Sequence, residues 1–354
     1  MSSFKRCIES RQGGFGLVEI MVALVIGMVL TLVITQALSV FEGQKLTTSG
    51  TADAQTNGSL ALYSIQREAQ IAGFALPTLE SGSSALKCTS FTPATTNISP
   101  VTITSGGVAA GASDSVTVRY GDSQFAGLPL TIVAGTLDTQ AQVDTTMACV
   151  VSSAPGNDAL VTNGTSCTLT KVTAIQTAGP PKITLATSAN VAVGAKLSCL
   201  GTWREIVFRV TNNQLERVEN GDATQIGSDI VAIKAQYGIS ASASDNQVSQ
   251  WVSATAASGW ASPSVDDRNR IKAIRVAVIA RNGLLEKTAA ETGTKACSST
   301  TAAAPTGLCA WEGTDASPAP TIDISNDANW QRYRYRVYET IIPLRNVVWS
   351  KETL

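Results

Sequence analysis

"GGFGLVEIMVALVIGMVLTLVITQALSV" (residues 13–40) decides the architecture of this 354-residue chain. Between Arg11 and Glu42 it holds one ionisable side chain, Glu19, inside an otherwise apolar run. As a helix, residues 15–40 extend about 39 Å at about 1.5 Å per residue, against a hydrocarbon core of about 30 Å. The stretch is long enough to span a membrane. Lys5, Arg6 and Arg11 stand before it against a single Glu9, which orients the helix with its N-terminus in the cytoplasm.

A carboxylate inside such a helix costs on the order of 3 kcal/mol on insertion scales, so Glu19 calls for a partner. A secretory signal would be cut after the apolar run, where Ala37-Leu38-Ser39 offers a small-x-small site. A plain signal anchor fits the length and leaves Glu19 unexplained. Cleavage between Gly14 and Phe15 does explain it. Phe15 then carries a new positive amine four residues from Glu19, and the same amine on a neighbouring chain, displaced by about one helical turn, meets Glu19 directly. Apolar contact would drive side-by-side packing of such helices, and the charge pair would set their register.

Gly14-Phe15-Gly16-Leu17-Val18-Glu19 followed by an apolar helix resembles the class III signal of type IV pilins and type II secretion pseudopilins. The resemblance implies a membrane peptidase that cuts after Gly14 and methylates Phe15, with Glu19 as the assembly residue. Many major pilins have a proline part-way along this helix, whereas this chain has none before Pro77. Gly43, Gly50 and Gly58 are the candidate weak points instead, each about 1 kcal/mol less favourable than Ala.

Composition narrows the rest. Charged residues are 15% of the chain and the net charge is −1, which gives no sign of general nucleic-acid binding. With His 0, Ser-His-Asp and Cys-His catalysis and histidine zinc sites are excluded, and no enzyme, cofactor or metal is expected. Cys7 precedes the apolar run; Cys88, Cys149, Cys167, Cys199, Cys297 and Cys309 follow it without a C-x-x-C pair. Six cysteines on one side of a membrane read as up to three disulfides in an oxidising compartment. Their pairing is open among about 15 arrangements. Short loops favour Cys297 with Cys309 and Cys149 with Cys167.

Residues 41–76 read as an amphipathic helix with Leu62, Ile65, Ala69 and Ala72 on one face. From Pro77 to Leu200 the chain is rich in Thr, Ser, Gly and Ala, with strand-like runs such as "SVTVRYG" (115–121) and "CTLTKVTAI" (167–175). This stretch is expected to be a β insertion stapled by disulfides. Beyond it, 205–219 reads as a hairpin turning at Asn212-Asn213. "DIVAIKAQYGIS" (229–240) and "YRYRVYETIIPLRN" (333–346) read as further strands. "RIKAIRVAVIARNG" (270–283) is apolar on both faces, the mark of a central strand. The segment 57–74, the "AQYGI" strand and the terminal Leu-Arg-Asn resemble PilW-type minor pilins. In that family a cysteine often follows the first segment closely, whereas here Cys88 comes later, so that disulfide has no secure counterpart.

Three features invite sharper readings. Arg332, Arg334 and Arg336 interleave with Tyr333, Tyr335 and Tyr338, a pattern able to bind single strands of nucleic acid, though a salt-bridged surface explains it more simply. "DISNDANW" (323–330) is acidic but lacks the EF-hand spacing. Trp251 and Trp260 suggest either a sugar platform or core cover.

The expected fold is α+β: a long N-terminal transmembrane and amphipathic helix packed on an antiparallel β-rich head with a disulfide-stapled insertion. The expected organisation is a leader (1–14), a transmembrane and polymerisation helix (15–40), an amphipathic helix (41–76), the insertion (77–200) and the head (201–354). The resemblance implies a structural minor pilin in the bacterial inner membrane, with a periplasmic C-terminal domain and a place at or near a pilus tip. Its implied partners are other minor pilins, the major pilin, the prepilin peptidase and the inner-membrane assembly platform. A J-type secretion pseudopilin and a pilus-borne adhesin or DNA-binding subunit are the alternatives.

Overall fold

The computed structural model describes residues 14, 16–77, 84–137, 139–151, 157–286, 289 and 297–348. Its first element is α1 (Leu17–Gln70), a single helix of 54 residues. Gly43, Gly50 and Gly58 do not interrupt it. Gly50 and Gly58 are instead packing notches, because a Cβ on Gly58 would overlap the Tyr338 ring and one on Gly50 would press on Asn282. The helix stops at Gln70 rather than at residue 76, and the chain turns through Gly73, whose φ of 77° suits glycine.

Two compact units divide the chain, one up to Ser49 and one from Gly50 to Leu354. In the first, the side chains of Leu17, Val22, Leu24, Met28, Leu32, Leu38 and Phe41 are all exposed.

The second unit contains sixteen strands among the described residues: β1 (Ser90–Thr92), β2 (Val101–Thr104), β3 (Ser115–Gly121), β4 (Pro129–Leu137), β5 (Gln140–Val143), β6 (Asp158–Thr162), β7 (Ser166–Gln176), β8 (Lys182–Leu185), β9 (Lys196–Gly201), β10 (Trp203–Thr211), β11 (Gln214–Glu219), β12 (Asp222–Ser228), β13 (Ile230–Ile239), β14 (Gln250–Ser253), β15 (Ile271–Arg281) and β16 (Tyr335–Pro343). Two head sheets run β12-β11-β10-β3-β2 and β14-β13-β15-β16. Ala54, Ala61, Ile65, Ala69 and Ala72 of the α1 segment and the turn after it share one core with Val116, Val118, Ile206, Phe208, Ile233, Tyr237, Ile274 and Val278 from both sheets. Small residues on the helix let the strands approach closely, so this half of α1 belongs to the head's core.

The expected hairpin is present. Asn212 and Asn213 both have positive φ, 52° and 57°, which a two-residue primed turn requires. β15 is central as its two apolar faces demand. One face meets α1, and the other packs with Val231 and Ala232 beneath Ala310, Ile322 and Ile324.

The 77–200 stretch divides. β2 and β3 belong to a head sheet, with β3 paired antiparallel to β10 and Gly121 opposite Trp203. Between those two residues β4–β9 form a separate structure. The order β7-β6-β9-β4-β5-β8 closes on itself through a β7–β8 pairing, giving a six-stranded barrel with β1 added in parallel to β7. Leu130, Ile132, Val143, Val161, Ile183, Leu185 and Leu197 fill it. Closure leaves no open edge around this ring, which suits a segment with little apolar surface of its own.

All six cysteines after the apolar run are paired. Cys297 joins Cys309 as short-loop closure suggests. The other short-loop pairing is overturned: Cys149 bonds Cys199, and Cys167 bonds Cys88. Strand order decides this, since β1 lies beside β7 with Phe91 opposite Cys167 and brings Cys88 to the same end. Loop length carries no such information.

Candidate functional site

The first turn of α1 is closed by the backbone N–H groups of Glu19 and Ile20, which donate to the Gly16 carbonyl at 3.0 and 3.3 Å. Gly14 lies just before it, exposed, with nothing within 4 Å of where a side chain would begin. Phe15 lies outside the described residues, as does Cys7. Glu19 occupies the first turn, where the helix dipole favours a negative charge.

The helix surface around Glu19 has an order that a reading based on hydropathy alone misses. Glu19, Ala23, Gly27, Thr31 and Thr35 recur every fourth residue and therefore lie on one face. Ile20, Leu24 and Met28 flank the first part of this row as the walls of a shallow apolar groove. Thr31 and Thr35 donate their hydroxyls back to the carbonyls of Met28 and of Thr31 and Leu32, at 2.8–2.9 Å, so neither exposes an unpaired donor to lipid. The apolar side chains along this part of the helix are exposed throughout. An exposed apolar surface of this length suits lipid or other helices. The i,i+4 spacing was legible in the sequence.

Other residues singled out in the sequence are not gathered into a second site. Arg334 pairs with Glu286 at 2.6 Å, and Arg332 donates to the Glu286 carbonyl. Asp327 accepts from Arg281 at 2.7 Å and from the Asn329 N–H, so the 323–330 loop spends that carboxylate on structure. Among the described residues no cluster of acidic, Cys or His side chains is arranged to hold a metal. Trp260 is buried in the head core, and Trp251 with Trp311 encloses the Arg275 guanidinium at 4.8 and 4.3 Å. Burial pulls the Arg275 pKa down to about 10, although Glu339 nearby opposes the fall.

Two buried charge groups had no sequence signature. Glu68, 4% exposed, accepts from the Tyr120 hydroxyl at 2.8 Å and lies 3.5 Å from Arg217 Nε. It ties α1 to β3 and β11. Asp114 accepts from the N–H groups of Gly106 and Ala235, both at 2.9 Å, and faces Lys234 at 3.9 Å. Burial raises the Asp114 pKa against these contacts and lowers that of Lys234. Both groups lock the fold, since every partner belongs to the chain's own framework.

A Gly-Phe junction, a first-turn glutamate, an exposed apolar helix and a helix-cored antiparallel head together suggest a membrane-anchored pilin. Residues 10–35 match the family model of the prokaryotic N-terminal methylation motif, and residues 202–346 match that of type IV pilus-assembly protein W. No curated protein and no solved structure matches the chain. Over the N-terminal segment and most of the head, these two matches support a PilW-type pilin related to the type IV pilus, a family of structural pilus components.

Proposed function

We propose that the protein is a minor pilin: cut between Gly14 and Phe15, methylated on Phe15 and held in the bacterial inner membrane with its disulfide-bonded domain in the periplasm. It helps to prime a type IV pilus and is incorporated at or near the tip, beside other minor pilins and the major pilin. The observation that carries this reading is the fully exposed apolar half of α1 with one carboxylate, Glu19, in its first turn. Lipid satisfies the apolar surface. A cation satisfies the carboxylate most strongly, and the amine released at Phe15 of a neighbouring subunit is a cation the family's own processing creates. No cofactor takes part.

Intact mass of the membrane-extracted protein tests the processing, with a chain beginning at methylated Phe15 as the expected result. Gly14→Arg should leave the precursor uncut. Glu19→Val should insert and be cut normally, yet enter filaments about tenfold less, the equivalent of about 1.4 kcal/mol of lost pairing. Unchanged incorporation would remove Glu19 from assembly. Loss of surface pili on deletion, with exoprotein secretion intact, separates this reading from a secretion pseudopilin.

A further inference from the structure

Open sheet edges are normally blunted, because unpaired backbone groups accept foreign strands. Most edges here follow that rule. The barrel is closed, and β1 and β2 are only 3 and 4 residues long. β14 is covered by the 316–318 loop, with the Trp251 N–H donating to Ser317 Oγ and the Gln250 amide to the Ala316 carbonyl. The pairing of β12 is broken by a register shift beside Leu215 and Glu216. β16 differs. It pairs with β15 in nine consecutive positions without a shift, and among the described residues none bonds to the backbone of Tyr335–Pro343 on its outer side. Along it Arg336, Glu339 and Ile341 are exposed, Ile341 by 59%.

We propose that β16 is a docking edge that receives one extended strand from a neighbouring pilin subunit of a different sequence. The proposal rests on the filament reading above. Side-chain chemistry states what that strand must carry: a carboxylate opposite Arg336, a cation opposite Glu339 and an apolar residue opposite Ile341. A second copy of this chain fits poorly. About a two-fold axis, antiparallel copies set residues of the same sheet face opposite one another. Arg336 lies on the α1 side with Tyr338, while Glu339 and Ile341 lie on the other, so Arg336 never meets Glu339. A foreign strand satisfies both charges.

The test places a photo-crosslinking residue at 336, 339 or 341 of the full-length protein in pilus-forming cells, with position 224 on β12 as the control. Linked peptides are then sequenced. The expected result is that all three positions link to one extended segment of another pilin, with linked residues displaced by three and then two. No link above the control, links scattered over helices, or links to β16 of a second copy would each overturn the proposal. The count is restricted to chains already cut at Gly14 and recovered in filaments, so a negative result speaks against the edge and leaves the filament reading intact. As a second arm, Arg336→Glu with Ile341→Lys should lower incorporation about fivefold with cleavage and disulfides unchanged. Normal incorporation would likewise overturn it.

Discussion

Glu68 shows how one side chain stabilises the junction of helix and sheets. Glu68→Ala leaves the Tyr120 hydroxyl without its acceptor and Arg217 with Glu219 as its remaining charge partner. A loss of about 2 kcal/mol is expected in denaturant unfolding of the detergent-solubilised chain. Glu68→Gln, which still accepts the tyrosine hydrogen bond, should recover part of it. Asp327 is expected to contribute to loss of stability in acid. The Asn329 N–H and then Arg281 hold its pKa below the ordinary aspartate value, outweighing burial. A depressed carboxylate contributes stability that is complete above its unfolded pKa, 3.8, and is lost as pH falls through the lower folded value. Asp327→Asn should therefore lower the melting temperature at neutral pH and flatten its dependence below about pH 4. An unchanged acid limb would assign that transition to other groups.

At the scale of elements, α1 contains glycines in opposite situations. Gly43 has open space around it, so Gly43→Ala should slow amide exchange in its turn, reflecting about 1 kcal/mol of helix propensity. Gly58→Ala gains the same propensity but drives a methyl group into the Tyr338 ring, with Ala280 Cβ 3.1 Å away. Overpacking of this kind costs about 1–3 kcal/mol, so Gly58→Ala should be destabilised overall. A stabilised variant would mean that β16 yields to the helix. Periodicity made both the helix and the Asn-Asn hairpin legible. It did not show that Gly58 faces a tyrosine from the far end of the chain, because that contact depends on how β16 meets α1.

At the scale of the molecule, the barrel hangs from the end of a head hairpin. Gly121 and Trp203 are cross-strand neighbours, so residues 122–202 are replaceable by a two-residue Asn-Gly turn without moving β3 or β10. Cys88→Ser must accompany the change, since Cys167 leaves with the barrel. Leu76 and Ile98 lose their packing against Leu160 and Leu200, a cost of a few kcal/mol by area. The expected product is a processed, membrane-inserted head that still enters filaments. If pili form but surface attachment or DNA uptake fails, binding resides in the barrel. If no head accumulates, the barrel is part of the head's folding unit.

The membrane helix, the carboxylate in its first turn and the main head strands were determined by sequence alone. They depend on local quantities: length of apolar run, alternation of side chains, and the backbone preference of Asn for positive φ. The Cys88–Cys167 and Cys149–Cys199 pairings, closure of the barrel, burial of Glu68 and Asp114 and the open edge of β16 were decided only in three dimensions. Each depends on which distant strands become neighbours, and that follows from packing α1 against two sheets at once, a property no window along the chain contains.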